Sequence, residues 1–504
     1  MTDTGPFAQL LLLLSLAAVA AVLSNRLTAR LRVPAPALFL AAAAVAAAAL
    51  PGLDAPPERT VERIVTVALL CILFDGGMHI GWRRFRAAAA PIVVVGVAGT
   101  FLTTAAVAAV AHFGFGFSWY VALLVGTAIA PTDPAVVFSV LGQREIAGRS
   151  STILEGESGA NDPVGIALMV SLLTAGSLGG GALVQVGGEF VLQMGVGAAL
   201  GLAGGRALLW FMRRVSLPSE GLYPLRTLAC VLVLYGATTI AHGSGFLAVF
   251  IAGIVLGDER APYKREVERF HSALASLGEI VAFVVLGLTV NLGDITRTNV
   301  WVPGLVLGAL LALVIRPLLV GLCLMPARLR RNEQAFVLFA GLKGAVPILL
   351  GSLLLAANIP GAHRLYGIVI VVVVLSVLVQ GSLVPTVARA LHLPMRIVEP
   401  QPWSLGVRLA EEPQGVLRLT VAAGSRADGQ TVDDVADAAT NSATDSATDS
   451  ATDSGDAGQV WVNMVVRGRA LVTVRGDTRL RAGDEVLVSA DERWHPHLED
   501  LFRA

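Results

Sequence analysis

Residues 151–163 read S-T-I-L-E-G-E-S-G-A-N-D-P, and they set polar side chains into the opening turns of an apolar segment over 153–174. Those side chains are Glu157, Asn161 and Asp162. The segment is otherwise apolar enough to cross a membrane, and ionisable groups at such depth are costly. The pattern therefore indicates membrane helices and a functional site in an ion or proton pathway.

The composition of the whole chain also indicates a membrane protein. Its 504 residues are 55% hydrophobic and 15% charged, with a mean hydropathy of +0.71. The formal net charge is zero, which argues against a nucleic-acid binder. We expect an all-α polytopic protein with about 13 transmembrane helices. The apolar segments are 7–23, 35–50, 61–80, 88–111, 117–141, 153–174, 183–212, 222–241, 244–257, 273–291, 299–324, 334–357 and 364–388.

Arginine and lysine concentrate in alternate gaps between these segments. Clusters such as Arg83, Arg84 and Arg86 fall in the odd-numbered gaps, and the even-numbered gaps are poor in positive charge. The positive-inside bias therefore predicts an amino terminus outside and a cytoplasmic carboxyl end. We interpret the first segment as a retained helix and not a signal peptide, because no basic region precedes it.

The character of the chain changes near Arg396. Hydrophobicity falls, and V-L-R-L-T-V, Q-V-W-V-N-M-V-V and E-V-L-V-S-A show the alternation of β-strands. We predict a transmembrane domain over 1–393 and a small cytoplasmic α/β domain over 394–504. The polar repeat from Asn441 to Ser454 is too poor in apolar residues to pack, so we expect a disordered insertion there.

Two of the apolar segments contain helix-breaking residues beside a charge. In G-T-A-I-A-P-T-D-P-A-V-V (126–137), two prolines lack amide hydrogens, so the helix should unwind around Thr132 and Asp133. In G-L-K-G-A-V-P (341–347), Lys343 lies between glycines. Unwound backbone at membrane depth has to line a protein-buried or wet cavity. An acid and a base in broken helices of opposite halves predict an inverted-repeat transporter with two crossing broken helices.

The E-x-x-x-N-D cluster supplies oxygen ligands at helical spacing. Glu157 and Asn161 are four residues apart, as are Ser158 and Asp162, so carboxylate, amide and hydroxyl groups share neighbouring stripes of one helix. Oxygen ligands suit a hard monovalent cation, and burial raises the pKa of a carboxylate towards the physiological range. This chemistry predicts a site where a cation and a proton compete.

Two further buried charges are expected to join this site. Asp75 in I-L-F-D-G-G adds a carboxylate from the third segment, and Arg316 in V-I-R-P lies inside the eleventh. A buried arginine needs an acidic partner, and Glu157 is the expected one.

Taken together, T-D-P (132–134), E-x-x-x-N-D (157–162), F-D-G-G, Arg316 and G-L-K-G-A (341–345) resemble the monovalent cation:proton antiporters of the type-one branch. The resemblance covers about residues 5–390. It implies that Asp162 binds the ion and the proton, and that Thr132 and Ser158 help to coordinate the cation.

The same resemblance assigns supporting roles. It implies that Asp133 and Lys343 balance the dipoles of the crossing helices. It also implies that Asn161 replaces the second aspartate of the electrogenic branch. Lys343 is a departure, because many members carry arginine there, and a buried lysine can titrate.

The tail resembles a TrkA-C domain. The similarity lies in V-A-A-G-S-R-A-D-G-Q-T-V-D-D-V (421–435) and T-R-L-R-A-G-D-E-V-L-V (478–488). It implies dimerisation and, in some such domains, nucleotide binding. The sequence shows no glycine-rich phosphate loop.

Two other functions compete with exchange. Gly156-Glu157-Ser158-Gly159 and Ala241-His242-Gly243-Ser244-Gly245 spell motifs of rhomboid intramembrane serine proteases, but the predicted topology places Ser158 and His242 at opposite membrane faces. A regulated cation channel would fit the tail, but the sequence has no T-V-G-Y-G-like filter.

We therefore expect a non-enzymatic antiporter of a bacterial plasma membrane that exchanges K+, or alternatively Na+, for H+ at Asp162. A single titrating carboxylate beside a neutral Asn161 predicts electroneutral exchange, in keeping with a role in pH homeostasis. No cofactor is expected, and the family implies a homodimer in contact with membrane lipid. The sequence leaves the cation, the direction of transport and the ligand of the tail open.

Overall fold

The computed structural model describes residues 34–49, 57–141, 144–146, 149–290, 299–327, 329–393, 395–397, 416–444, 460–468, 470–490 and 495–503, with single positions 12, 19 and 293. The chain divides into two compact units, Met1–Leu405 and Gly406–Ala504. This boundary lies later in the chain than the predicted one after Leu393.

The first unit is helical. Its described helices are α1 (Ala35–Ala49), α2 (Glu58–Val93), α3 (Thr100–Phe115), α4 (Trp119–Ile129), α5 (Pro134–Leu141), α6 (Arg149–Ala175), α7 (Ala182–Arg214), α8 (Leu222–Ile240), α9 (Gly245–Gly257), α10 (Lys264–Leu288), α11 (Trp301–Leu310), α12 (Gly321–Leu324), α13 (Arg331–Phe339), α14 (Ala345–Ala356), α15 (Ala362–Leu375) and α16 (Gly381–Ala390). A short 3-10 turn, Met325–Ala327, follows α12.

Three π-helical segments connect some of these helices without a loop. They are Val94–Gly99 between α2 and α3, Leu311–Val320 between α11 and α12, and Ser376–Gln380 between α15 and α16. Pro317 explains the wider turns of the second segment, because proline removes an amide from the helical hydrogen-bond ladder. Such segments are frequent at functional sites.

Within the described residues, seven helical runs are long and apolar enough to cross a membrane. They are Glu58–Phe115, Trp119–Leu141, Ala182–Arg214, Leu222–Ile240, Lys264–Leu288, Trp301–Ala327 and Ala362–Ala390, and α1, α9 and α14 are shorter apolar helices. Each predicted segment from 35 to 388 contains a described helix. The predicted first helix, 7–23, lies outside the described residues except at 12 and 19, so the count of 13 and the inverted repeat remain predictions.

The gap between the third and fourth apolar segments contains a sharp turn and no loop. That gap, which holds Arg83, is helical apart from Gly81, where φ is 66° and ψ is 166°. The Asp258 carboxylate accepts a hydrogen bond from the backbone amide of Arg83 just beyond this break. Because the freed amide has a partner, the chain changes direction at one residue without a loop.

Glycines allow α2 and α9 to pack with their backbones in contact. A Cβ atom on Gly253 would collide with the carbonyl oxygen of Phe74, and one on Gly257 would lie 2.5 Å from the carbonyl oxygen of Met78. On α2, a Cβ atom on Gly77 would collide with the carbonyl oxygen of Phe250. Small residues of this kind let membrane helices approach closely.

A short pair of strands lies within the first unit. Strand β1 (Arg144–Ile146) pairs antiparallel with β2 (Met395–Ile397). The prediction assigned residues 395–397 to the tail domain, but this pairing joins them to the membrane unit, because a strand needs a partner edge for its backbone groups.

The second unit is a small α/β fold. Strands β3 (Val416–Thr420), β4 (Trp461–Arg467), β5 (Ala470–Val472) and β6 (Glu485–Ser489) form an antiparallel sheet in the order β3-β6-β4-β5. Strands form at the three places where alternation predicts them. The core of the unit includes Val486 and Val488, which are alternate residues of β6 and therefore lie on one face of the sheet. Val465 of β4, the partner of Val486, also belongs to this core.

Two helices accompany this sheet, α17 (Val432–Thr444) and α18 (His495–Phe502). Helix α17 extends into the segment predicted to be disordered, so the prediction is wrong for residues 441–444. The preceding turns, A-D-A-A (436–439), are rich in alanine, the best helix former, and the helix propagates from them. Residues 445–454 of that segment lie outside the described residues.

Asp484 is a buried acid of the second unit. Its carboxylate accepts hydrogen bonds from Arg467 Nε at 2.9 Å and Nη2 at 2.8 Å, and from the Arg481 amide at 2.9 Å. Burial acts to raise the pKa of Asp484, but these hydrogen bonds outweigh it and hold the pKa below its ordinary value.

Candidate functional site

The first predicted helix break is present. Helix α4 ends at Ile129 and α5 begins at Pro134, which leaves Ala130 to Asp133 outside both helices. Proline is preorganised for the first turn of a helix, so Pro134 begins α5 without losing a needed amide. The unwound segment exposes backbone carbonyl groups in the interior of the unit, where Thr132 is only 4% exposed.

The second break is also present and meets the first. Helix α13 ends at Phe339 and α14 begins at Ala345. The amide of Asp133 donates to the carbonyl of Leu342 at 2.8 Å, so the two unwound segments cross in direct contact. A Cβ atom on Gly344 would collide with the Asp133 carboxylate, and one on Gly341 with the guanidinium of Arg316. Glycine is therefore required at both positions for this close approach.

Charged groups complement the broken helix ends. The ammonium group of Lys343 donates to the carbonyls of Ala130 at 2.8 Å and Pro131 at 3.0 Å, just beyond the carboxyl end of α4. Asp133 Oδ1 accepts from the amide of Ala135 at 2.9 Å, at the amino end of α5. A cation at a carboxyl end and an anion at an amino end both stabilise the local dipole.

A buried ion pair links the second break to α6. Arg316 Nη1 and Nη2 donate to Glu157 Oε1 at 2.7 Å and Oε2 at 3.0 Å, in bidentate geometry. Arg316 also donates to the carbonyls of Leu338 at 2.9 Å and Val337 at 3.2 Å, at the end of α13. Arg316 and Glu157 are 4% and 2% exposed. The predicted pairing is confirmed, and the arginine also satisfies carbonyls that the break leaves free.

Thr132 and Asn161 join the first break to the same network. The side-chain amide of Asn161 donates to Thr132 Oγ1 at 2.8 Å, and Asn161 Oδ1 accepts from the Thr132 amide at 3.4 Å. The Thr132 hydroxyl donates to Glu157 Oε1 at 3.4 Å. Asn161 thus uses both ends of its amide group to hold the unwound segment.

Asp162 is the member of this group with a vacant oxygen. It is 7% exposed, and its Oδ1 atom has no hydrogen-bond partner among the described residues. Ser158 lies one turn earlier on the same face of α6, and Asp133 and Lys343 are close enough to interact electrostatically with Asp162. A buried carboxylate oxygen without a donor is costly, so Asp162 has unused capacity for a proton or a cation.

The structure places Asp75 in a different environment from the one we predicted. Asp75 Oδ1 accepts from the Ser272 hydroxyl at 2.7 Å, and the carboxylate lies 3.4 Å from His79 Nδ1. Its described contacts are with α10 and its own helix and not with the Asp162 group. The convergence that we predicted from neighbouring segments therefore holds for the residues around Glu157 and does not extend to Asp75.

Sequence reasoning missed two residues that hold the second break. Ser376 Oγ accepts from the Lys343 amide at 3.0 Å, and Gln380 Nε2 donates to the carbonyl of Phe339. Ser376 also donates to Gln380 Oε1 at 3.2 Å, which joins the two into one clamp. Two polar residues four apart in the apolar segment 364–388 were the available signal.

Sequence reasoning also missed Glu279, an acid inside the apolar segment 273–291. Its Oε1 atom is buried and has no hydrogen-bond partner within the described ranges. An ionisable residue inside such a segment is itself the signal that could have identified it.

The protease alternative receives no geometric support. Ser158 is buried within α6, whereas His242 is exposed in the turn between α8 and α9. The described contacts contain no hydrogen bond between them, which a nucleophile and its base would need.

The comparisons with known proteins place the chain in a family. Residues 14–390 match the family described as sodium/hydrogen exchanger, transmembrane. The chain therefore belongs to this family of multi-pass membrane proteins. The match ends before the tail, so the resemblance of the tail to a TrkA-C domain remains a prediction.

Two relatives are named K(+)/H(+) antiporter NhaP2. The one from Shewanella oneidensis is 34% identical over 379 residues, which cover 73% of this chain and 64% of that protein. The one from Shewanella baltica is 30% identical over 511 residues, which cover 99% of this chain and 84% of that protein. The chain thus spans less than two thirds of the Shewanella oneidensis protein.

A solved structure has a similar fold. The sodium proton antiporter MjNhaP1 from Methanocaldococcus jannaschii at pH 8 superposes with a TM-score of 0.63 at 22% identity, covering 75% of this chain and 99% of that chain. This likeness shows a shared fold.

Proposed function

We propose that this protein is a secondary active antiporter that exchanges a monovalent cation for a proton by alternating access at Asp162. The observation that carries this proposal is the buried Asp162 carboxylate with a vacant Oδ1 beside two crossing helix breaks. Such breaks place backbone oxygens and helix ends at membrane depth, where transporters bind their ions.

The cation and the proton would compete for the same oxygens. A cation at Asp162 would also use the hydroxyl oxygens of Ser158 and Thr132, which are hard ligands of the type that alkali cations prefer. Its positive charge favours the ionised carboxylate, so binding releases the proton. When the cation leaves, the buried carboxylate regains a proton, because an isolated buried charge is unfavourable.

We propose that the exchange is electroneutral. The side-chain amide of Asn161 forms hydrogen bonds with Thr132 and does not titrate. Asp162 is therefore the titrating member of the Asn161–Asp162 pair. The Glu157 carboxylate is bound on both oxygens by the guanidinium of Arg316, so this pair is not the group that exchanges ions. One carboxylate then carries either one cation or one proton.

Potassium is the favoured cation, with sodium as the alternative. Two relatives at 34% and 30% identity carry K(+)/H(+) antiporter names. The TrkA-C-like tail points in the same direction by analogy. The oxygen ligands alone do not discriminate between the two ions.

The test uses purified protein in proteoliposomes with an internal pH dye. Adding K+ or Na+ outside should move protons outward through the wild type, and clamping the membrane potential at zero should leave the rate unchanged. Asp162→Asn should abolish the signal, whereas Glu189→Gln, which removes a carboxylate bonded to Gln193 on α7, should keep it. Exchange retained by Asp162→Asn would refute the site. A cation current without proton movement would indicate a channel.

We further propose that the second unit regulates transport without forming the ion pathway and faces the cytoplasm of a bacterial cell. Strand β2 pairs with β1 inside the first unit, so truncation should leave residues 395–397 in place and remove those after Leu405. The truncated protein should retain exchange with altered regulation, and complete loss in correctly inserted protein would contradict this role. Proteolysis of the tail in inside-out but not right-side-out vesicles would test the orientation.

We also propose a homodimer in contact with membrane lipid, as the family resemblance implies. Light scattering of the purified protein in detergent measures its mass, and a monomeric mass at assay concentration would contradict the dimer.

A further inference from the structure

Glu279 is a partly buried acid that the network around Glu157 does not use. It lies on α10 in the apolar run G-E-I-V-A-F-V-V (278–285). Its Oε1 atom is buried without a hydrogen-bond partner in the part of the chain that the structure describes. A carboxylate oxygen with no donor inside an apolar helix destabilises the fold, so such a residue is a candidate for a functional role.

Glu279 lies on a helix that packs beside the second helix break. Its carboxylate is close enough to Asp133 for an electrostatic interaction, and Asp133 has the same relation to Asp162. Helix α10 also packs against α14, the helix that follows the second break. Glu279 is therefore an acid of α10 within electrostatic range of the first helix break.

Glu279 and Ser272, the residue that bonds Asp75, lie on the same face of α10. Ser272, which donates to Asp75, precedes Glu279 by two helical turns, a rise of about 10 Å. Gly278 packs on Ala68 of α2 while Ser272 meets Asp75, so the two helices run antiparallel along this line. The side chain of His79 is 59% exposed and that of Asp75 is 16% exposed, and the Oε1 atom of Glu279 is buried.

We propose that Glu279 is a proton relay between the Asp162 site and the Asp75 end of α2. This inference rests on the proposed antiport. When a cation displaces the proton from Asp162, the Glu279 carboxylate takes up that proton through intervening water and becomes a neutral acid. It then gives the proton to water near Asp75 and becomes a carboxylate again. One proton enters and one leaves, so the ratio of protons to cations is unchanged.

The test compares Glu279→Gln, which cannot titrate, with Glu279→Asp, which can. In proteoliposomes the Gln variant should lose about a hundredfold in maximal exchange rate, the lower end of what a positioned proton-transferring side chain contributes. Its half-saturating cation concentration should stay within about threefold of the wild type, because Asp162 still binds the ion. The Asp variant should have an intermediate rate. Glu268→Gln, which breaks a partly exposed pair with Lys264 on the same helix, is the matched control and should behave as wild type.

Two results would overturn the relay. One is a wild-type maximal rate in Glu279→Gln, and the other is a loss that appears entirely as weaker cation binding, which would make Glu279 a ligand. Should the Gln variant fail to fold, Glu279→Asp alone decides, because the relay requires a lower rate at unchanged half-saturation. Failure of the antiport itself is distinguishable, because the wild type and the Glu268→Gln control would then show no exchange either.

Discussion

Removing one partner of the Arg316–Glu157 pair should strongly destabilise the helical unit. The pair is bidentate at 2.7 Å and 3.0 Å, and its side chains are 5% and 3% exposed. In Glu157→Gln the guanidinium keeps its charge but loses its counter-ion in a buried site. Breaking a buried pair from one side costs about 3–5 kcal/mol.

The other single variant should cost more. Arg316→Gln leaves Glu157 without its counter-ion and also removes the donors to the Leu338 and Val337 carbonyls. Each buried acceptor left without a donor adds about 1–3 kcal/mol. The double variant Glu157→Gln/Arg316→Gln should recover much of the loss, because neither charge is then buried alone.

The assay is the temperature at which purified protein in detergent loses its folded, monodisperse form, followed by tryptophan fluorescence and size exclusion. The matched control is Glu259→Gln, which breaks the Arg213–Glu259 pair at the same 2.7 Å separation but with 47% exposure on both sides. An exposed pair contributes about 0–1 kcal/mol. If the Glu157 and Glu259 variants lost equal stability, or if the double variant were less stable than both single ones, the reasoning from burial would be refuted.

Three further predictions concern other parts of the chain. Gly344→Ala should lower the exchange rate measured in vesicles by about a hundredfold, because the added Cβ atom displaces the Asp133 carboxylate. The control is Gly236→Ala, where an added Cβ atom meets nothing within 4 Å, and it should keep the wild-type rate. Gln380→Leu frees the Phe339 carbonyl and should cost about 1–3 kcal/mol in thermal stability, against less than about 0.5 kcal/mol for the exposed Ser382→Ala. Asp484→Asn should cost about 1.5–3 kcal/mol at pH 7 and increase deuterium uptake in β4 and β6. Because the pKa of Asp484 is lowered on folding, its stabilisation is present above the unfolded pKa and is lost as the pH falls below about 4, where wild type and variant should converge; equal uptake at pH 7 would contradict this.

The broken helices and the central ion pair could be predicted from the sequence because their causes are local. Proline lacks an amide hydrogen wherever it occurs, so Pro131 predicts a helix break. A buried arginine needs an acidic partner, so Arg316 predicts an ion pair. The E-x-x-x-N-D spacing places its side chains on one part of α6 by helix geometry alone.

The missed features depend on contacts between distant parts of the chain. The turn at Gly81 needs the carboxylate of Asp258, and the second break needs Ser376 and Gln380 from a later helix. Asp75 was expected at the ion site but meets Ser272, 197 residues later in the chain. No local pattern encodes which distant helix supplies such a partner, so these features required the structure.

The glycine contacts between α2 and α9 have a mechanical consequence. Two helices that touch through backbone atoms have no side-chain rotamers to exchange at their seam, and interlocked backbones resist sliding. A shift of α2 that moved Asp75 would therefore carry α9 with it, and α9 in turn packs on α7. We therefore expect α2, α9 and α7 to move together as one rigid group in any rearrangement that involves α2. The backbone dihedral angles that change in such a motion would lie outside the seam between α2 and α9.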